Sequence, residues 1–263
     1  MRRAPQVVLF CLLLLMPAAR LQAEEVPSLT LTILHDNYVI DKTFESEWGF
    51  ACLLEGLEKT ILFDTGGSPF ALCSNLPKAG IDPACIDTIV LSHIHEDHVG
   101  GFACLLPLPH EMSLLLPASF PPHQRGRFEV ESARITWVED PIEICAGAMT
   151  TGEIDGPVIE HALVVRGPDG LIVITGCAHP GIATIVRAAM ALYPEEPVDL
   201  LLGGFHLLRS GETTLRHVAA ELLALGVRRV APTHCSGDLT REVFKEIFGL
   251  HYIEAGVGLV LEF

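Results

Sequence analysis

Positive charge is scarce in this chain: 17 Lys and Arg stand against 33 Asp and Glu, a net charge of −16. A general nucleic-acid binder needs a basic face to displace counterions, so that class is excluded. An anionic membrane is an equally poor partner, and any anionic substrate would need a local cluster of positive charge or a metal. Long apolar runs are also scarce. The one at 7–16 follows Arg2 and Arg3 and is shorter than the roughly 20 residues that span a bilayer. With Pro17 and Leu21-Gln22-Ala23 behind it, it reads as a cleavable signal peptide over residues 1–23, with Glu24 opening the mature chain. Cys11 sits inside the run and not at its exit, which argues against a lipoprotein anchor, and Arg2-Arg3 lacks a twin-arginine context. A periplasmic or secreted protein, with no membrane attachment after cleavage, is expected. Losing the leader removes three arginines and no acid, so the mature chain is more acidic still.

Repeats, low-complexity stretches and a second apolar transition are absent beyond the leader. Residues 24–263, in a chain 49% hydrophobic, fit a single domain with a sizeable core. Of eight cysteines, Cys11 leaves with the leader, and the odd number remaining implies a free thiol or a metal-bound thiolate in an oxidising compartment. Cys73 and Cys85 flank a turn-rich segment and form a candidate disulfide.

Strand-like runs at 29–33, 50–54 and 60–63 open the mature chain, followed by a helix at 69–76 and a buried strand at 87–91. A helix at 100–106 is expected after Gly100-Gly101. The stretch 107–157 is irregular and proline-rich, with strands at 113–116 and 135–138. Regularity returns with strands at 158–165 and 171–175, a helix at 181–192 and a strand at 199–202. A helix at 212–225, a strand at 229–231, a helix at 241–248 capped by Thr240, and a strand at 257–262 follow. Hairpins exclude a purely parallel sheet, and the consistent layer solution is α/β: two packed mixed sheets with helices outside.

Against this background one stretch stands out. Ser92-His93-Ile94-His95-Glu96-Asp97-His98-Val99-Gly100-Gly101 packs three imidazoles and two carboxylates behind the apolar run Ile89-Val90-Leu91. Both side-chain types bind divalent transition metals at neutral pH, and a solvated polar turn does not account for so many donors. In extended backbone His93 and His95 point the same way, whereas Asp97 and His98 follow in a turn and face a second point. That suits two metals about 3.5–4 Å apart sharing a hydroxide. Further donors must come from elsewhere. Cys177-Ala178-His179-Pro180-Gly181, Gly203-Gly204-Phe205-His206 and His234-Cys235-Ser236-Gly237 each follow a strand, and Asp64-Thr65-Gly66-Gly67 closes an earlier one.

Phe63-Asp64-Thr65-Gly66 together with His93-x-His95-x-Asp97-His98 resembles the metallo-β-lactamase fold superfamily. Thr151-Gly152-Glu153, Gly176-Cys177-Ala178-His179-Pro180-Gly181, Gly204-Phe205-His206-Leu207 and His234-Cys235-Ser236-Gly237 resemble its dihydropteroate-synthase-like branch. That branch includes enzymes that make ribofuranosyl-aminobenzene phosphate adducts of pterins. The resemblance implies an αββα four-layer sandwich with metals at one edge between the sheets. It implies His93, His95, Asp97 and His98 as metal ligands, His234 as the late histidine ligand, and Asp64 as the acid supporting the histidine loop from behind. His179 is the choice for the remaining imidazole. Cys177 stands where many members carry a bridging Asp, and it either binds metal or packs. His93 and His95 are expected to serve one ion with His179, and Asp97 and His98 the other with His234.

Other histidines have weaker context. His161 reads as a half-buried strand imidazole; His206 is a ligand, a core residue or, preferentially, a substrate contact. His110, His123, His217 and His251 read as surface or structural. His35-Asp36-Asn37 lines a pocket rim or caps a turn, and Cys235 is expected to point away from the metal.

The resulting expectation is a metal-dependent hydrolase with two divalent ions, zinc first and manganese or iron also compatible, acting on a small-molecule substrate. A metal-lowered water pKa would give the hydroxide nucleophile, with Asp97 orienting it and His206 stabilising developing negative charge. The alternatives are a pterin-linked transferase, against which secretion counts, and a non-catalytic metal or ligand binder.

Overall fold

The computed structural model describes residues 28–106, 111–131 and 133–263. The leader expected over 1–23 lies outside the described residues, as does His110.

Two mixed β-sheets form the centre. The first contains β1 (Thr30–His35), β2 (Ala51–Glu55), β3 (Ile61–Phe63), β4 (Thr88–Val90), β5 (Met112–Pro117) and β6 (Ala133–Val138) in spatial sequence, with the C-terminal strand Val260–Glu262 flanking β1. Its pairing is antiparallel as far as β3 and parallel from β3 to β6. The second runs β7 (Glu143–Cys145), β8 (Ala148–Thr150), β9 (Leu163–Gly167), β10 (Gly170–Thr175), β11 (Val198–Gly204) and β12 (Arg229–Thr233). Here β10, β11 and β12 are mutually parallel and the rest antiparallel.

Period-2 alternation in these strands divides the apolar residues among three layers. Leu31, Ile33, Cys52 and Leu54 of the first sheet meet Ile172, Ile174, Leu200 and Leu202 of the second in a central layer. The opposite face of the first sheet, with Ala51, Leu53 and Leu62, packs on α1 (Pro69–Lys78) through Leu72 and Leu76, and two single-turn helices, α2 (Glu96–Val99) and α3 (Pro122–Arg125), follow along the chain. The opposite face of the second sheet, with Leu171, Val173 and Leu201, is covered by three helices. Of these α4 (Ile182–Leu192) buries Ile182, Ile185, Val186 and Ala189, one helical stripe at i, i+3, i+4 and i+7. Leu215, Ala219 and Leu222 of α5 (Glu212–Ala224) and Val243 and Phe244 of α6 (Asp238–Phe248) complete the cover. This is the expected αββα sandwich. Strands buried on both faces read as continuous apolar runs, which is why β10 and β11 stand out in the sequence.

Several local expectations change. The segment after Gly100 is a 3₁₀ turn, Gly100–Cys104, preceded by one helical turn, Glu96–Val99, so the ligand loop itself enters helix. The strand expected over 158–165 begins only at Leu163, because the backbone at 158–162 departs to aim Glu160 elsewhere. The strand expected at 257–262 begins at Val260, and Val257 makes only an isolated bridge to Val39. Helix α6 starts at Asp238 with Gly237 as its cap, so Thr240 lies inside it. The hairpin of β7 and β8 has no counterpart in the expectation. The Cys73–Cys85 pairing is also corrected: Cys73 is bonded to Cys104. Helix α1 lies against the 3₁₀ turn and brings those Cα atoms to 5.6 Å, while Cys85 packs against the outer core of the first sheet.

Candidate metal centre

The first sheet delivers half of the site in one stretch. The chain leaves β4 through Ser92, places His93 and His95 in extended backbone, and turns into helix at Glu96, carrying Asp97 and His98. Behind it lies Asp64, fully buried just past β3. Its carboxylate accepts the Ser92 backbone N–H at 2.6 Å and the Ser92 hydroxyl at 2.7 Å, and it contacts His98 Nδ1 at 2.7 Å. Ser92 Oγ in turn lies 2.9 Å from His93 Nδ1. One carboxylate thus reaches two imidazoles.

The second sheet delivers the other half from separate strand ends. Because β10, β11 and β12 are parallel and adjacent, the turns that leave them emerge side by side, carrying Cys177 and His179, His206, and His234. Glu160 organises the first of these turns. Its Oε1 accepts the backbone N–H groups of Gly176, Cys177 and Ala178 at 3.1, 2.9 and 3.0 Å, and Oε2 accepts that of His179 at 3.0 Å. Gly176 lets this turn press on the other half: a Cβ there would fall 2.0 Å from Ser92 Oγ. Where the halves join, His161 Nε2 lies 2.8 Å from the Leu91 carbonyl, and the His161 backbone N–H donates to the Ser92 carbonyl at 3.1 Å. His161 is completely buried here, more than the half-burial expected.

Among the described residues, four that are not glycine have left-handed backbone: Asp64 (φ 57°), Ala178 (φ 62°), His206 (φ 53°) and His234 (φ 47°). All four belong to these turns. Such strain persists only where surroundings enforce it, and it marks functional sites.

Donor atoms of Asp97, His98, Cys177 and His234 lie within 4.8 Å of one another, and so do those of His93, His95 and His179. A third group, Cys177, His179 and His206, meets the same limit. His93 Nε2 and His95 Nδ1 are 3.2 Å apart, as are His98 Nε2 and Cys177 Sγ, and His234 Nε2 and Asp97 Oδ2. Ligands bound at 2.0–2.3 Å on a tetrahedral ion stand about 3.3–3.8 Å apart, close to these spacings. The Nε2 atom of His179 is buried without a hydrogen-bond partner. An unpaired buried nitrogen is costly unless a cation or water takes it.

The electrostatics fit the same reading. Burial, reinforced by its imidazole neighbours, pushes His93 well below its ordinary pKa, and burial with His206 and His95 nearby lowers His179 to about 3. Burial with His234 lowers His98 to about 4. Burial alone would raise the Asp97 carboxyl, but His234 and His98 outweigh it and hold the group below the usual carboxylate range. Burial and mutual repulsion therefore disfavour the protonated form of His93, His98 and His179, whereas Asp97 pulls His234 the other way, up from its ordinary value against its burial. Burial pushes the Asp64 and Glu160 carboxyls up, opposed by their N–H and O–H donors.

Every residue expected at the metals is brought to this edge. Cys235 does not simply turn away: its Sγ lies 3.6 Å from the Cys177 carbonyl oxygen and bonds His206. His206 is exposed, its ring 4.2 Å from that of His179, at the mouth of a cavity of about 350 Å³ between α4 and α5. His123, His217 and His251 are exposed, with no part in the donor groups. The turn 35–37 makes the side-chain cap weighed for it and also reaches His234. Asp36 Oδ1 accepts the Tyr38 N–H at 2.9 Å, and Asn37 Oδ1 lies 3.0 Å from His234 Nδ1. Three supporting residues escaped the sequence reading. Trp48 donates its indole N–H to Asp97 Oδ2 at 2.8 Å, and its ring lies tilted, 4.6 Å from that of His234; Glu160 and Ser92 act as described above. For Trp48 no local signal existed. For Glu160 the signal would have been an acidic residue breaking an apolar run.

Comparison with known proteins agrees with this geometry. Residues 49–234 match the family model described as the metallo-β-lactamase superfamily. A curated relative from Methanocaldococcus jannaschii, a 7,8-dihydropterin-6-methyl-4-(β-D-ribofuranosyl)-aminobenzene-5′-phosphate synthase, is 27% identical over 280 residues, covering 88% of this chain and 95% of the relative. A solved metal-dependent hydrolase of the β-lactamase superfamily is 29% identical with a TM-score of 0.73, over 89% of this chain and 99% of that chain. The metallo-β-lactamase fold protein YhfI from Bacillus subtilis, 16% identical with a TM-score of 0.66 over 90% of this chain and 99% of that one, shares the fold. The expectation of a signal peptide is corrected. The relative matched along 88% of the chain is a synthase, the chemistry against which secretion had been set. That objection to pterin-linked chemistry is withdrawn with it.

Proposed function

The chain belongs to the metallo-β-lactamase superfamily, and from that membership we propose that it is a metal-dependent hydrolase of a small anionic molecule. The observation that carries the reading is the pair of adjoining donor groups, braced from behind, at the open edge between the sheets. His93, His95 and His179 would hold one divalent cation, zinc first, and Asp97, His98, Cys177 and His234 a second. When bound, such ions supply Lewis-acid polarisation of the scissile group and lower the pKa of water.

The protein's own groups prepare that chemistry. Asp64 takes the Nδ1 proton of His98 and directs its Nε2 lone pair into the site, and Ser92 extends the same control to His93. Trp48 fixes the Asp97 carboxylate, which would orient the attacking water besides ligating. Asn37 sets the ring of His234. His206, at the cavity mouth, meets negative charge developing on the substrate.

A second reading, pterin-linked group transfer, is favoured by one observation: the 27% identical synthase aligns over 95% of its own length. Turnover in ¹⁸O-labelled water decides between them. With metal-loaded protein and a panel of phosphodiesters, lactones and lactams, we expect ¹⁸O in the product. His95→Ala should lower the rate by about 10²–10³-fold, the scale of losing one preorganised electrostatic group. Metal uptake with pterin-dependent product formation and no label would overturn hydrolysis in favour of transfer.

A further inference from the structure

The cavity of about 350 Å³ between α4 and α5 is more than the place where His206 is exposed. Its wall includes His179, a donor in the first metal group, so it opens directly beside the ion that His93 and His95 would share. Away from the two imidazoles its character changes. Phe205 and Leu207 line it from the turn after β11, Ala178 and Ile182 from the entry to α4, and Ala183 and Val218 from the two helices. Ala183 and Val218 each adjoin the stripe that their helix buries against the sheet, and both are half-buried against the same outer core. Among the described residues no Lys or Arg lines the cavity, and its one carboxylate, Glu221, is already engaged by Arg187 at 2.8 Å.

Resting on the metal-dependent reading above, we propose that this cavity seats an uncharged apolar arm of the substrate. The substrate class is then a small anion carrying an acyl or aryl group beside its scissile bond. The anionic head meets the metals and His206, and the arm lies between the helices. Charge decides against other arms. A terminal phosphate or carboxylate would find no cation in this lining, and a polyhydroxylated arm would leave hydroxyls unpaired against Ile182 and Phe205. Apolar surface removed from water there is favourable in proportion to its area. Cavities for small ligands run from about 300 to 1,000 Å³, so about 350 Å³ holds an arm and not a large substrate entire. The small side chains of Ala178 and Ala183 leave the gap open, which makes position 183 a determinant of specificity: a larger group there takes the arm's place.

The test uses the full zinc-loaded chain and n-alkylphosphonates from methyl to octyl, titrated by calorimetry. Affinity should rise about fourfold with each methylene until the cavity is full, and then level off. A carboxylate at the end of the hexyl chain should cancel the gain. Ala183→Phe should flatten the series while leaving the affinity for methylphosphonate unchanged. Val218→Phe fills the same gap from α5 and keeps the test valid if Ala183→Phe folds poorly by circular dichroism. A flat series in wild type, or a wild-type slope in both filled variants, would overturn the arm site. The hydrolase reading fails separately: product without ¹⁸O, alongside a clear chain-length slope, rejects the attack by water and keeps the arm.

Discussion

Asp64 and Glu160 are both fully buried carboxylates, and each braces one half of the site, yet they act on different parts of the chain. Asp64 addresses side chains: it contacts His98 directly and His93 through the Ser92 hydroxyl. Glu160 addresses backbone, gathering four successive N–H groups from Gly176 to His179. The difference follows from how the halves are built. A contiguous loop already has its path, so its brace needs only to orient imidazole rings. A turn joining a strand to a helix, with Ala178 in left-handed backbone, needs its path held.

Glu160→Ala should break the comparison most severely. It orphans three buried N–H groups and a part-buried one, at about 1–3 kcal/mol for each buried group, so a stability loss of about 3 kcal/mol or more is expected in urea unfolding. An unfolding midpoint equal to that of wild type would show that the turn holds itself. Next in size is the acid response of the joint between the halves. Burial lowers His161 from 6.5 to about 4. Above pH 6.5 both folded and unfolded chains carry a neutral ring. Between 6.5 and about 4 the unfolded chain takes a proton that the native ring refuses, so stability falls with pH across that window. The full loss is about 3 kcal/mol. His161→Gln, which keeps a donor for the Leu91 carbonyl, should flatten this part of the pH profile; an unchanged slope assigns it to other groups. The smallest effect separates the two arms of Asp64. Asp64→Asn should weaken ion binding at both donor groups by about 10–100-fold, whereas Ser92→Ala should affect only the His93 group and by less. Equal losses for the two variants in chelator competition would mean that Ser92 is the whole of the brace.

What could be read from the sequence divides along the same line. The loop from His93 to His98 was legible because its donors are neighbours and alternate, and α4 and β10 because their apolar spacing is regular. Glu160 was hidden inside a run of apolar residues that reads as strand, and its partners lie 16 to 19 residues further on. Asn37 meets His234 across 197 residues of chain, a contact that no local pattern encodes. The disulfide was misread for a related reason. Spacing favoured Cys85, but tertiary packing of α1 against the 3₁₀ turn selected Cys104. The fold was clear because layers follow from periodicity. The donors were clear where they were consecutive or closed a strand, and the braces and contacts made between distant segments were not.

The left-handed residues carry a consequence for descent. At Asp64, His206 and His234 the strained backbone comes with a side chain that the site uses, so a lineage that relaxed them with glycine would lose that group. Ala178 offers only a methyl group, buried against the helices. Drift towards glycine should therefore be open at 178 and closed at the other three, so that related sequences differ in ease at one bend of the site while sharing the tension of the rest.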